Sequence, residues 1–205
     1  MDAGSHWERV PGFVAAASTE GTMATYGRLR RLWLTRFSQP AAERVIHRHV
    51  LRTAPVRVLE LGLGLLVRTE RLLTAAASRP TPAPVHYVGL DRFEGRAAGD
   101  PPGVSLKEAH QRLHKLAKVQ LVPGNVDTSL ARVCNHLGSF DLVLVSADTD
   151  SRHLERCWFF LQRLVTPATT IFVQPQASAA WSTITKARID ELAAKTVQPA
   201  LRRAG

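Results

Sequence analysis

Four short segments of the chain place residues that can bind or activate a ligand directly after an apolar run. In the first, residues 56–66, the run reaches Glu60 and then a glycine pair, Gly62 and Gly64. Glycines let the backbone turn tightly and approach a ligand, although any sharp turn between a strand and a helix uses them as well. A carboxylate at Glu60 repels a pyrophosphate and attracts a cation, so this segment favours a ligand with a positively charged end.

The second segment supplies a carboxylate at the end of another apolar run. Asp91 follows residues 85–90, and at the end of a strand such a carboxylate can accept hydrogen bonds from the hydroxyls of a ribose. Asp91 can equally cap its own loop or pair with Arg92 or Arg96. Beside Glu60 and the glycine turn, the ribose interpretation is favoured, and Arg92 is predicted to border the same ligand.

The third segment, residues 119–127, ends in a turn that can bind the edge of an adenine ring. The side chain of Asn125 can bond to the ring, and the backbone amide of Val126 can donate to it. Proline, glycine and asparagine in succession also form an ordinary turn, which is the alternative here.

The fourth segment is a wholly apolar run that delivers Ser146, Asp148 and Asp150 to one place. Crowded carboxylates can bind a metal, act as a general base or cap the helix that follows. Asp148 and, a few residues later, His153 are the candidate bases, and Ser146 is a candidate ligand contact. Capping remains the alternative for Asp150, and packing or exposure is the alternative for His153.

The elements that must hold these segments alternate between strands and helices. Five strands are predicted near residues 56–61, 85–90, 119–122, 141–145 and 169–173. They are continuous apolar runs without polar alternation, which is typical of a parallel sheet covered by helices on both faces. Ligands of such sheets bind beyond the carboxyl ends of the strands, where all four segments lie. The last helix is predicted over residues 180–194.

The length of 205 residues suits one domain. Residues 1–22 lack periodicity and are predicted to form a flexible arm, and Met23 is a candidate for the start of the natural chain. The domain is predicted to span residues 23–205, with N-terminal helices over 23–54 and a ligand-binding core over 55–175.

The chain carries 27 lysines and arginines against 17 acidic residues, a formal net charge of +10. Such an excess attracts polyanions, so nucleic acid is a candidate partner, while a solvated helix face around Arg28, Arg30, Arg31 and Arg36 is the alternative. Neither a membrane-spanning run nor a secretory signal is apparent. The two cysteines, Cys134 and Cys157, are predicted to be buried thiols, and we expect a cytoplasmic protein.

Taken together, the four segments resemble the class I S-adenosylmethionine (SAM)-dependent methyltransferases over residues 55–175. Residues 60–64 are similar to the family's first motif, which wraps the methionine end of the cofactor. Asp91 stands where the family binds ribose, residues 124–126 resemble the adenine segment, and residues 140–148 resemble the strand beside the transferred methyl group. The resemblance implies SAM as cofactor and a Rossmann-like α/β/α sandwich with a mainly parallel sheet.

The chain departs from the family at several positions. Leu66 replaces a glycine often found in the first motif, and Ser146 replaces the metal-binding aspartate of the catechol-type enzymes. Gln174 and Pro175 stand where those enzymes carry Asp-Asn. The antiparallel strand pair that usually closes the family's sheet is not evident after residue 194. Either this pair is missing or its sequence pattern is degenerate.

We expect a methyltransferase that acts without a metal, because Ser146, Gln174 and Pro175 replace the metal-site residues. We expect a small-molecule acceptor, because no RNA- or DNA-specific module accompanies the domain. The alternative is a methyltransferase-like module that has lost catalysis and binds the cofactor or an anionic partner such as nucleic acid. A nicotinamide dehydrogenase is disfavoured, because Val67 stands at the place of its third glycine and Glu60 would face a pyrophosphate.

Overall fold

The computed structural model describes residues 19–78 and 84–202, and a six-stranded sheet organises them. The strands are β1 (Arg57–Leu61), β2 (His86–Asp91), β3 (Lys118–Pro123), β4 (Leu142–Val145), β5 (Thr170–Val173) and β6 (Ser182–Ile184). Their order across the sheet is β3-β2-β1-β4-β5-β6, in which the first five run parallel and β6 pairs antiparallel with β5.

Helices cover both faces of this sheet. They are α1 (Thr19–Arg36), α2 (Arg44–Thr53), α3 (Val67–Ala77), α4 (Leu106–Leu113), α5 (Val126–Leu137), α6 (Ser151–Leu161) and α7 (Lys186–Arg202). The first four pack on one face and the last three on the other, as the two clusters of buried side chains show. The three-layer α/β/α sandwich with a mainly parallel sheet is therefore confirmed.

The central strands are apolar throughout because each strand contributes to two cores. In β4, Leu142 and Leu144 pack toward α1–α4, while Val143 and Val145 pack toward α5–α7. All four side chains are fully buried. Alternate side chains of a strand point to opposite faces, so a strand covered on both faces needs an apolar residue at every position.

The C-terminal region differs from the prediction. A helix was expected over residues 180–194, but residues 182–184 form β6 and α7 begins at Lys186. The β-branched Thr183 and Ile184 pair with Phe172 and Ile171 of β5, and this tertiary pairing overrides the local helical pattern. The described residues thus close the sheet with one antiparallel strand.

The N-terminal region is helical earlier than expected. Helix α1 begins at Thr19, inside the stretch predicted as an arm, and the rest of that arm, residues 1–18, lies outside the described residues. No described helix is long and apolar enough to cross a membrane.

The pairing of β1 with β4 places the ligand-binding crevice. The chain moves outward from β1 through β2 to β3, then returns to lay β4 on the other side of β1. This reversal opens a crevice beyond the carboxyl ends of the two strands, the usual ligand site of such sheets. At the opposite ends, the Asp141 carboxylate accepts hydrogen bonds from the amides of Val56 and Arg57, both at 2.8 Å.

Candidate functional site

A narrow cleft lies at the carboxyl ends of β1, β2, β3 and β4, where the sequence predicts the ligand. Its walls are formed by Gly62, Leu90, Asp91, Arg92, Arg96, Gly124, Asn125, Val126, Asp148, Thr149, Asp150 and His153. All four predicted segments therefore contribute to one place. The free volume is about 20 Å³, enough for about one water molecule.

Asp91 lies at the end of β2 with its carboxylate buried against the glycine turn. One oxygen, Oδ2, accepts from the amides of Leu63 at 2.7 Å and Gly64 at 3.2 Å. The other, Oδ1, accepts from the amide of Phe93 at 3.0 Å. The first and second segments thus contact each other directly, and the glycine turn and the strand-end carboxylate form one unit.

Arg96 lies across the same carboxylate. Its Nη2 is 2.8 Å from Oδ1 and 2.9 Å from Oδ2 of Asp91, while its Nη1 is buried without a hydrogen-bond partner among the described residues. Gly103 accommodates this guanidinium, since a Cβ there would lie 1.7 Å from Nη1. The pairing with Arg96 was one of the sequence alternatives for Asp91, whereas Arg92 pairs with Asp100 at 2.8 Å.

Glu60 does not line the cleft; its carboxylate turns into the core. It is fully buried and accepts from Arg68 Nε at 2.7 Å, from the Thr69 hydroxyl at 2.9 Å and from the Tyr87 hydroxyl at 2.7 Å. Burial and the adjacent negative charge raise the pKa of Tyr87 well above its ordinary value. Burial disfavours the charged form of Arg68, yet the attraction of Glu60 raises the pKa of Arg68.

Arg68 links this buried network to the glycine turn. Its Nη2 donates to the carbonyl of Gly62 at 2.7 Å, and its guanidinium lies 5.1 Å from the ring centroid of Trp181. A buried Arg–Glu pair with its hydrogen bonds satisfied holds the backbone it touches. Glu60 therefore acts on the turn through Arg68. Local spacing did not predict this contact.

The turn itself depends on left-handed backbone. Gly62 has φ +78° and Gly64 has φ +60°, and a Cβ at Gly62 would lie 2.9 Å from the Thr149 hydroxyl. Leu66, at the position where the family often has glycine, also takes φ 67°. A left-handed conformation costs a residue with a Cβ about 1–2 kcal/mol. The full burial of the Leu66 side chain offsets that cost.

The rim that follows β4 combines a helix cap with a second, partly buried carboxylate. Asp150 accepts from the amide of Arg152 at 2.9 Å and so caps α6, one of the alternatives left open for it. Ser146 is buried beneath the rim and its hydroxyl lies 3.3 Å from Oδ2 of Asp148. Asp148 and Thr149 border the cleft, and the buried hydroxyl of Thr149 has no hydrogen-bond partner in the described part of the chain.

His153 also reaches the cleft, held by a residue that the sequence did not single out. Its Nδ1 lies 3.0 Å from Oδ1 of Asp127, the first acidic residue of α5. Burial opposes the charge of Asp127, but hydrogen bonds from His153 and the backbone lower its pKa overall. An acid at the start of a helix is common, so nothing in the local sequence separated Asp127 from an ordinary helix-terminal charge.

Within residues 19–78 and 84–202, no group of three or more histidine, cysteine, aspartate and glutamate side chains could hold a metal ion. The acidic and histidine side chains at the cleft are instead distributed between Asp91 at the end of β2 and the rim that follows β4.

Two solved O-methyltransferases share this architecture. TomG from Streptomyces achromogenes, involved in tomaymycin synthesis and solved with SAM, is 16% identical with a TM-score of 0.50, over 78% of this chain and 67% of that one. The O-methyltransferase from Bacillus cereus, solved with S-adenosylhomocysteine (SAH), is 16% identical with a TM-score of 0.50, over 78% and 68%. The chain has the fold of the class I methyltransferases. No protein-family model and no curated relative matches it.

Proposed function

We propose that this protein is a SAM-dependent methyltransferase whose cofactor binds in the cleft between β1 and β4. The observation that carries the proposal is the convergence of the four segments, which lie far apart along the chain, around one crevice. The direct contact between the turn at Leu63 and the carboxylate of Asp91, at 2.7 Å, ties the first two together.

The cleft residues suit the cofactor chemically. The turn at Gly62 and Gly64 would meet the methionine end, Asp91 the ribose, and Asn125 with the amide of Val126 the adenine ring. The hydroxyl of Thr149 is buried without a hydrogen-bond partner among the described residues, and a ligand or a water molecule would satisfy it. When bound, SAM supplies an electrophilic methyl group.

Entry of the cofactor requires the cleft to open. Asp91 already accepts bonds from three amides and Arg96, and the remaining space is about 20 Å³. Arg96 must release the carboxylate before ribose hydroxyls replace it. Glu60 would assist indirectly, by holding Gly62 through Arg68, and Ser146 by positioning Asp148.

His153 is the residue that we propose as general base. The bond from Nδ1 to Asp127 orients the ring and leaves Nε2 to take the proton of an acceptor hydroxyl. Asp148, which borders the same cleft, is the second candidate. A base of this kind needs no metal, and we propose metal-free transfer to a small hydroxylated molecule in the cytoplasm.

The alternative of a non-catalytic module has one specific observation in its favour. The acceptor positions of Asp91 are satisfied within the chain, so this carboxylate needs no ribose to satisfy it. In such a module the contacts at the cleft would only hold the strand ends together. The net positive charge of the chain would attract a partner such as nucleic acid.

Calorimetric titration with SAM and SAH, with NAD as a control ligand, tests the proposal. We expect micromolar binding of both sulfur ligands and none of NAD. Asn125→Ala should weaken binding about tenfold, since it removes one buried hydrogen bond to the ligand. Asn125 makes no cap bond at the start of α5, so the variant should fold normally.

The matched control is Asn135→Ala, an exposed amide on the same helix and away from the cleft. It should bind SAH like the wild type. Folded protein that binds neither SAM nor SAH would reject the methyltransferase proposal and favour the module.

A further inference from the structure

We propose a second ligand site, for a phosphate-bearing small molecule, in a cavity between α2 and the β5–β6 edge of the sheet. The cavity has a volume of about 630 Å³, within the usual range for small-molecule sites and far larger than the cleft. Arg48 and Arg52 line one wall, and Lys186 stands at the other side.

The cavity lies at the opposite edge of the sheet from the cleft. Its floor includes Thr169 and Thr170 at the beginning of β5, and Thr185 just after β6. Because β5 runs parallel to β4, the beginning of β5 is at the amino edge, while the cleft is at the carboxyl edge. No residue lines both sites, so the second site is separate from the one proposed for the cofactor.

The charge of the cavity is one-sided. Arg48 and Arg52 lie one turn apart on α2, a helix with no acidic residue, and neither forms an ion pair with a described residue. Like charges at this spacing repel each other and destabilise a helix. Among the described residues no acidic side chain lines the cavity, although Asp190 bonds Lys186 from outside it at 2.7 Å. A bound anion would relieve the repulsion.

The uncharged lining also suits a phosphate. Four threonines, Thr169, Thr170, Thr183 and Thr185, line the space, and α7 begins at its edge. The hydroxyl of Thr169 already donates to the carbonyl of Phe140, so the other three are the candidate donors. Guanidinium groups bind phosphate oxygens through paired, charge-assisted hydrogen bonds, and hydroxyl groups can donate to the remaining oxygens. His49 forms part of the apolar wall, packed edge-on against Phe172 with ring centroids 5.5 Å apart.

The shape favours a small molecule over a nucleic acid strand. The cavity is bounded by α2 on one side and by β5, β6 and the start of α7 on the other. No exposed aromatic ring lines it, so it lacks the stacking surface on which single strands bind their bases. The ligand class is therefore a compact phosphorylated metabolite rather than a polymer.

Calorimetric titration of the full chain with inorganic tripolyphosphate and with uridine 5′-monophosphate tests this site. We expect saturable binding of at least one probe, and at least tenfold weaker binding in the double variant Arg48→Gln/Arg52→Gln, because two charge-assisted contacts are removed. The matched control is Arg30→Gln/Arg36→Gln, which makes the same change in net charge at two exposed residues of α1.

The outcomes separate the interpretations. Equal weakening in the two double variants, or no saturable binding of either probe, would overturn the site. Tighter binding of a twelve-nucleotide oligouridine than of either probe, lost in Arg48→Gln/Arg52→Gln alone, would overturn the small-molecule assignment in favour of nucleic acid. SAH affinity should be unchanged in both double variants, because the two sites share no described lining residue. Binding of the phosphate probes can be measured whether or not the protein binds SAM, so the two proposals can fail separately.

Discussion

The carboxylate of Asp91 and the guanidinium of Arg96 are 2.8 Å apart, at the position where the fold would receive a ribose. Both side chains are largely buried, at 3% and 15% exposure. Any ligand that needs Asp91 must compete with a partner five residues away in the same chain. The affinity of the cleft therefore depends on how readily Arg96 leaves.

Replacement of Arg96 should strengthen cofactor binding. We expect Arg96→Ala to lower the Kd for SAH by roughly five- to thirtyfold, since loss of the competing ion pair is worth about 1–2 kcal/mol. Calorimetry on the wild type and the variant measures this change. Arg188→Ala, which removes an exposed pair with Glu191 away from the cleft, should leave the Kd within twofold. Weaker binding by Arg96→Ala would mean that Arg96 contacts the ligand.

Loss of the Glu60 charge should destabilise the fold. Glu60→Gln leaves Arg68 as a buried cation without its counter-ion, and we expect the free energy of unfolding to fall by about 3 kcal/mol. Urea denaturation followed by circular dichroism provides the value. Glu191→Gln, which breaks an exposed pair with Arg188, serves as the control and should have no measurable effect. A decrease in the free energy of unfolding no larger than that of the control would show that the buried network does not stabilise the fold.

Stability should fall in mild acid because of His47. Burial lowers the pKa of this fully buried ring from 6.5 to about 4, so the unfolded chain takes up its proton first. The stability present above pH 6.5 is then lost as the pH falls toward 4, at up to about 1.4 kcal/mol per pH unit. Urea midpoints between pH 7 and 4 report the slope.

The variant His47→Gln should flatten this slope, while His136→Gln, at an exposed position of α5, should retain it. Equal slopes in all three proteins would assign the acid sensitivity to other groups. His49 and His86 also have pKa values lowered by burial, so a residual slope is expected in His47→Gln.

Both cysteines should be unreactive in the folded protein. Cys134 and Cys157 are buried, and burial raises the pKa of the Cys157 thiol far above its ordinary value, which suppresses the reactive thiolate. We expect a thiol reagent such as DTNB to modify neither residue in buffer at pH 8 and to modify both in urea. Rapid labelling of the folded protein would contradict the burial described for α5 and α6.

The sequence was sufficient for the five parallel strands because they are short, mainly apolar runs whose pattern is local. It also placed Asp91, Asn125 and His153 correctly at strand ends or just beyond them, since the position along the chain determines which edge of the sheet a residue reaches. Whether these residues bind a cofactor remains a prediction.

What the sequence did not reveal is the direction of side chains and their distant partners. Glu60 was predicted to face the ligand, but Tyr87 on the adjacent strand and Arg68 in the next helix draw it into the core. The partnership of Asp127 with His153 joins two helices 26 residues apart, which no local period encodes. The strand β6 was missed because only its pairing with β5 distinguishes it from the start of a helix.

The adjacency of β1 and β4 has a consequence for the order of folding. The hydrogen bond from the Arg57 amide to the Asp141 carboxylate joins residues 84 positions apart. During synthesis β1 therefore leaves the ribosome long before its neighbour β4 exists. Until then β1 has an open edge on the β4 side, and a fragment ending before β4 lacks the cleft residues Asp148, Thr149, Asp150 and His153. Closure of this long loop is entropically slow, so the central pair is expected among the last contacts to form. Ligand binding at the cleft would therefore stabilise the completely folded domain and not either half alone.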